Sequence, residues 1–413
     1  MDLALAPLYD QTTRQHQQTA FVSSLRPIGK TGMNLSRALP KVTLGLYVAA
    51  TSLGAFMGGV WGIVGIGGAL LLFASTWMID KRTPIPNRCL VGLAVVSLVV
   101  IAALNLLSTQ PALSWFYWER LLTVFIPLML LSSPQIAKRA KHPQFYYFVT
   151  LAAFAGALTL GVELSYNGAL IHFIKGAQAP LTEYNRGFSY LVIFAFPIMA
   201  WLWRMECKKS LLLFILVLLV PASLTESRSA KLALIVGLGI TFLAYFWPLL
   251  VRRGLMFLTV IFIGWPFAAR EFFIHSYDWL NRIPPSWHER VEIWDFMSYR
   301  IMEKPLLGWG LGSSKTLDFA HPHGALYTFA KSTEPHPHDV MTQLWVELGL
   351  PGLALGLAFA ALTLHLIGKL DKKLIPFALG AWAAAYCLSL VAYSFWTDSL
   401  FSTFALTGLA FAF

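Results

Sequence analysis

The feature that most constrains this chain is a succession of about twelve apolar runs, each near the length that crosses a bilayer, joined mostly by short polar connections. A hydrocarbon core of about 30 Å takes roughly 20 helical residues. Backbone groups in lipid must be satisfied within their own segment, which makes runs of this kind helices. They lie near 42–57, 60–79, 89–107, 117–133, 145–163, 187–203, 209–225, 229–249, 253–270, 341–368, 373–394 and 398–413. With 57% of 413 residues apolar and 12% charged, the chain falls outside the soluble globular range. The expected fold is an all-α polytopic membrane protein. Its expected parts are a tail over 1–41, nine spans within 42–270, a large outside loop at 271–340, and three spans within 341–413.

The first 40 residues carry no apolar stretch between a basic start and a small-residue cleavage site, so they read as a cytoplasmic tail and not a cleaved signal. With that tail inside, the inside segments hold 19 of the 31 basic residues against 5 acids. Every short inside loop carries at least two Lys or Arg, as the positive-inside rule requires, and both termini are expected inside. The net charge of +11 is therefore a topology signal, and nucleic acid is excluded as a partner. Cys89, Cys207 and Cys387 lie in spans or near inside loop ends, which offers neither a disulfide framework nor a thiolate metal site.

Two outside segments are long, 164–186 and 271–340, and loops of that length in a compact protein tend to carry function. Within the larger, Trp287 to Glu303 reads as an amphipathic helix. Trp287, Val291, Trp294, Met297 and Ile301 form its apolar stripe, with Glu289, Glu292, Asp295, Tyr299 and Glu303 opposite. Arg290 falls inside the stripe, and a cation on a buried face calls for an anionic partner. Gly308, Gly310 and Gly312 then suit a tight turn back towards the membrane.

His338 heads a segment in which Asp339, Gln343 and Glu347 stand four apart on one helical face, ahead of a bend at Gly349-Leu-Pro351-Gly352. This predicts a short interfacial helix with a polar ladder directed at a cleft. The triplets His321/His323 and His336/His338 match no common zinc spacing, and no metal or other cofactor is expected. Arg186, Arg228, Lys231 and Arg290 put four cations near the outer surface, on the side that disfavours them. Together they suit a diphosphate, since the planar guanidinium pairs two phosphate oxygens at once. Glu226 is available to neutralise Arg228, while Arg120 and Arg270 read as interfacial anchors.

Three segments resemble the O-antigen ligase and polymerase superfamily, and most closely its lipopolysaccharide O-antigen ligases: Ser227-Arg228-Ser229, His288-Glu-Arg290 through Gly310, and His338-Asp339 through Gln343, Glu347, Gly349 and Gly352. The resemblance implies a metal-independent, inverting glycosyltransferase of the lipid-phosphate-dependent (GT-C-like) membrane class. Its donor would be O-antigen polysaccharide on undecaprenyl diphosphate, its acceptor lipid A-core, and its place the periplasmic face of the bacterial inner membrane. Arg228 and Arg290 are then expected to neutralise the departing phosphate. His338 would accept or position the acceptor hydroxyl, with Asp339 as the competing base. Arg186, Lys231, Gln343, Glu347 and Trp294 are expected around the substrates. An O-antigen polymerase, a protein O-oligosaccharyltransferase and, from another class, a flippase or exporter of lipid-linked sugars are the alternatives.

Overall fold

The computed structural model describes residues 35–176, 180–318, 323–324, 326–328 and 336–412. Most of the expected N-terminal tail, His321, and residues 329–335 of the large loop therefore lie outside the described residues. Among those described, all regular structure is helical: α1 (Leu35–Ser52), α2 (Gly58–Asp80), α3 (Arg88–Asn105), α4 (Pro111–Leu130), α5 (Pro134–Ala140), α6 (Phe145–Ser165), α7 (Ala169–Lys175), α8 (Tyr184–Arg204), α9 (Lys208–Leu224), α10 (Arg228–Phe246), α11 (Pro248–Ile261), α12 (Trp265–His275), α13 (Tyr277–Leu280), α14 (Pro285–Glu303), α15 (Val340–Ile367), α16 (Ile375–Val391) and α17 (Asp398–Phe411).

Each of the twelve apolar runs is helical, but length and hydropathy qualify seven segments to cross a membrane on their own. The count becomes eight if α4 and α5, which meet at 66°, form one broken span. For two of the runs the difference is a matter of reach. At about 1.5 Å per residue, the 17 residues of α16 and the 14 of α17 fall short of a full bilayer core. The protein is nonetheless a polytopic membrane protein, and its periphery shows the solvent it expects. Ile63, Val99, Ile235, Phe242 and Phe257 point their apolar side chains outward, where only lipid makes them favourable.

Helix α8 is the most enclosed span, buried on nearly every side. Small residues bring its neighbours close, since lipid-solvated helices associate through packing and not through a hydrophobic drive. Gly187 lies on the carbonyls of Gly54 and Ala55. Gly65 of α2 faces Ser402 of α17, and Gly237 of α10 meets Gly380 of α16 beside the ring of Phe196.

The bend foreseen in α15 is present at Gly349, whose φ of 66° and ψ of −154° break the helix into an upper part and an apolar span. Leu350 N–H donates to Leu306 O and Pro351 has no N–H, so the carbonyls of Val346 and Glu347 lose their helical donors. The glycine turn replaces both: Trp309 N–H reaches Val346 O at 2.9 Å and Gly310 N–H reaches Glu347 O at 2.8 Å. Gly308, Gly310 and Gly312 all have positive φ, and a methyl group on Gly308 would lie 2.5 Å from the Glu347 carbonyl. The other side of the turn docks on the α3–α4 connection, where Thr109 N–H and Ser108 and Thr109 hydroxyls donate to Trp309 O.

Substituting Gly380→Ala should destabilise the protein by about 1–3 kcal/mol through overpacking, because its methyl group would meet Thr241 Oγ1 at 2.0 Å. Gly239→Ala, in open space on α10, should leave thermal unfolding in detergent unchanged. Equal melting temperatures for the two variants would show that the α10–α16 contact is not close.

Candidate active site

Helix α14 forms as the sequence predicts, with Pro285 at its first turn, but its polar face is not solvated. Glu292 and Asp295 are buried. Thr328 N–H donates to Glu292 Oε1 at 2.7 Å, and Tyr327 Oη–H to Asp295 Oδ2 at 2.6 Å, with the His323 ring 3.1 Å from the same oxygen. The later part of the loop folds over the face that helical periodicity assigns to water.

The opposite face carries Arg290 to the C-terminus of α16. Its Nε–H donates to Val391 O at 3.2 Å, its Nη1 to Ser286 O, and the guanidinium lies 5.8 Å from the Trp287 ring centroid. A helix C-terminus holds partial negative charge and favours a cation. Among the described residues no carboxylate pairs with Arg290, and burial pushes its pKa down. The anionic partner expected from the sequence is replaced by two neutral carbonyls.

The next carbonyl along, Ala392 O, lies 3.1 Å from His338 Nδ1. A carbonyl only accepts, so Nδ1 carries the proton and Nε2 keeps its lone pair. Burial, then the Arg290 charge, pushes the His338 pKa down to about 4, so the ring is neutral across the physiological range. Its backbone adopts φ 50°, a left-handed conformation that costs energy away from glycine and clusters at functional sites. Trp294 Nε1–H holds the preceding carbonyl, Pro337 O, at 2.6 Å. One face of α14 thus places Arg290 directly and His338 through Trp294.

Asp339, Gln343 and Glu347 do share a face, but it points into protein. Asp339 caps α15, accepting from the Met341 and Thr342 N–H groups and the Thr342 hydroxyl, and burial pushes its pKa up to about 6. Gln343 binds Ser394 Oγ and the Phe395 N–H. Glu347 accepts from Gly312 N–H at 2.7 Å, Ser314 Oγ at 2.6 Å, Gln343 Nε2 at 3.1 Å and Trp396 Nε1 at 2.7 Å.

The remaining cations stand on neighbouring helix ends. Thr225 Oγ1 donates to Asn185 Oδ1 at 2.9 Å, tying the α9–α10 hairpin to the start of α8. Tyr393, directly after Ala392, reaches Asn185 O at 3.2 Å and Ser189 Oγ at 2.9 Å. Ser227 caps α10, so Arg228 is the first residue of that helix, where its charge adds to the positive end of the helix dipole. Arg186 and Arg228 are exposed, and no ion pair joins Arg228 to Glu226. Lys231 reaches back to Ser223 O at 3.4 Å. Arg120 and Arg270 are engaged within the protein, by Asp398 at 2.8 Å and over the Tyr299 ring at 4.1 Å. Among the described residues no group of three His, Cys, Asp or Glu side chains gathers to hold a metal.

Nothing in the residue pattern warned of Ala392, which acts through its backbone, nor of Lys315, which follows the glycine turn and whose charge acts on His336. Tyr393 had a faint signal, as the first of several polar and aromatic residues between two apolar runs.

Residues 211–357 match the O-antigen ligase family model, a stretch that contains Arg228, Arg290, His338 and the glycine turn. Over that stretch the chain is similar to the O-antigen ligase family. A protein of Rickettsia conorii provisionally named a polysaccharide ligase is 29% identical over 57% of this chain and 58% of its own length. Counterparts bearing the same name in Rickettsia typhi and Rickettsia bellii are 27% and 28% identical, over 60% and 70% of this chain and 62% and 72% of their own lengths. The chain thus spans about three fifths of the first two relatives. The matched stretch takes in most of the residues gathered at the site above.

Asp339→Asn keeps a capping oxygen and removes a buried charge, so it should retain folding and most transfer activity. Asp339→Ala should cost about 0.5–2 kcal/mol of stability, read as a lower melting temperature. A loss of activity in the Asn variant of about a hundredfold or more, the size of a missing general base, would make Asp339 the base.

Proposed function

We propose that the protein is an O-antigen ligase that transfers O-antigen polysaccharide from undecaprenyl diphosphate to a sugar hydroxyl of lipid A-core at the periplasmic face of the bacterial inner membrane. Twelve spans with a GT-C-like arrangement, and both termini in the cytoplasm, belong to the same proposal. The contacts between loops support it. Arg139 pairs with Asp80 and the Arg252 guanidinium lies against Gly368, all on loops assigned inside. Thr225 with Asn185, and Thr109 with Trp309, join loops assigned outside.

The observation that carries the reading is the placement of Arg290 and His338 on the consecutive carbonyls of Val391 and Ala392. It sets a cation beside a neutral imidazole whose Nε2 is free to take a proton. In the proposed reaction the acceptor oxygen bonds to the anomeric carbon from the face opposite the leaving group, inverting it. The bond from that carbon to the diphosphate oxygen breaks, and its electron pair leaves with the phosphate. The hydroxyl proton passes to His338 Nε2. Arg290 and Arg228 neutralise the charge growing on the phosphate, with Arg186 and Lys231 assisting. Fixed guanidinium groups supply here the stabilisation for which other glycosyltransferases use a divalent cation, and the reaction is read as metal-independent. Trp294 holds the His338 segment, while Asp339, Gln343 and Glu347 shape the wall on which it stands.

Purified protein supplied with an undecaprenyl diphosphate glycan and lipid A-core should form product in the presence of chelator. Arg290→Lys and Arg228→Ala should each lower kcat/KM by about 10²–10³, and His338→Ala by about 10²–10⁴. Elongation of the lipid-linked glycan with no product on lipid A-core would move the function to a polymerase. Full transfer by the variants in vitro, with loss of donor delivery in cells, would move it to an exporter.

The pH profile gives an independent check, because kcat/KM reports groups of the free enzyme. His338 is the proton-accepting form above about 4, so kcat/KM should stay flat from pH 8 to about 5 and fall only below that. The Asp339→Asn background removes the carboxyl that titrates near 6 from the same range. An acid limb near the ordinary imidazole value of about 6.5 would sink the assignment of a depressed His338 as base.

A further inference from the structure

His336 has no part in the reaction above, yet it packs directly on His338. Its ring stacks on that of His338 with centroids 4.5 Å apart and planes at 29°. Its Nδ1 accepts the backbone N–H of His338 at 3.4 Å, so in the neutral ring the proton sits on Nε2. That Nε2 is cut off from solvent and, among the described residues, has no hydrogen-bond partner. A buried donor without an acceptor is rare in folded proteins and calls for an explanation.

The charges around it indicate what the missing acceptor is. Lys315, Arg290 and Arg186 all act on the His336 ring, and with burial and His338 they push its pKa well below the ordinary value and keep it neutral. Lys315 comes from the glycine turn, Arg290 from α14 and Arg186 from α8. Positive charge from three elements therefore acts on one uncharged donor, and an anionic oxygen on Nε2–H would complement that charge.

We propose that His336 Nε2–H donates a hydrogen bond to a phosphate oxygen of the lipid diphosphate, making it a substrate-binding residue on the leaving-group side while His338 Nε2 serves the acceptor side. The inference rests on the ligase reading of the same site. The Trp294 bond to Pro337 O fixes the residue between the two rings, so the pair divides its work by tautomer. His338 carries its proton on Nδ1 and leaves Nε2 to accept, and His336 carries its proton on Nε2 to donate.

The test is binding of undecaprenyl diphosphate, undecaprenyl monophosphate and undecaprenol to the purified full chain in detergent, for wild type, His336→Phe, His336→Leu and His336→Gln. Phe keeps a stacking ring and deletes the donor, Leu deletes both in a smaller volume, and Gln keeps an N–H donor. Phe, or Leu if Phe does not fold, should weaken diphosphate binding by about tenfold, the scale of one hydrogen bond to a charged group. Gln should stay within about threefold of wild type, and undecaprenol binding should not change. Wild-type diphosphate affinity in the Phe or Leu variant, or equal losses in Gln and Phe, would overturn the donor role. A loss that appears equally with undecaprenol would overturn it too, by assigning His336 to packing. Wild-type protein that binds undecaprenol as tightly as the diphosphate would instead overturn the reading of the site on which the inference depends.

Discussion

The structure turns on the break in α15 at Gly349. A helix that bends at a glycine and is followed by a proline exposes carbonyls, and in a membrane an exposed carbonyl has no water to turn to. Val346 O and Glu347 O are taken by the N–H groups of Trp309 and Gly310, while the Glu347 side chain collects Gly312 N–H, Ser314, Gln343 and Trp396. One residue, Glu347, thereby joins the upper part of α15, the glycine turn, and the connection between α16 and α17. The His338 segment hangs from this joint, since Asp339 caps the same short helix directly after His338 and the Gln343 contacts fix the chain just beyond Ala392. A buried carboxylate with four donors is well compensated, but removing it would strand four groups at once. The joint therefore works as a unit.

The second organising fact is an imbalance of charge. Arg186 and Arg228 make no ion pair among the described residues, and Arg290 spends its donors on carbonyls. Elsewhere the protein neutralises its arginines readily, as with Arg120 on Asp398, Arg139 on Asp80 and Arg300 on Glu303. The contrast separates scaffold cations from site cations. A cluster held open at some cost to stability gains its compensation when an anion arrives, which is the economy expected of electrostatic preorganisation.

Much of this was legible in the sequence. The apolar runs located every long helix but α14, which its amphipathic stripe located, because hydrophobic length is read directly against bilayer thickness. The number of spans was less legible, since α16 is apolar enough but short. Helical period correctly put Asp339, Gln343 and Glu347 on one face, and Glu292 and Asp295 on another. It did not reveal that both faces are covered, the first by the glycine turn and Trp396, the second by His323, Tyr327 and Thr328. Period tells which residues look the same way. What they look at is tertiary.

The deepest gap concerns the backbone. Arg290 and His338 are brought together by the carbonyls of Val391 and Ala392, and a carbonyl leaves no trace in residue type. What makes these two available is their place at the end of α16, where the last carbonyls lack intrahelical donors. The same end effect sets Arg228 on the N-terminus of α10 and Asp339 on that of α15. The site is thus assembled from helix ends, three of them, and its side chains are those that helix ends select: cations at a C-terminus, and a capping hydroxyl or carboxylate at an N-terminus. The exceptions are cations at N-termini, Arg186 in the first turn of α8 and Arg228 at the start of α10, and at Arg228 both the helix and the side chain repel another positive charge. That position is tolerable in the free protein only because it is exposed, and it is favourable only with an anion in front of it.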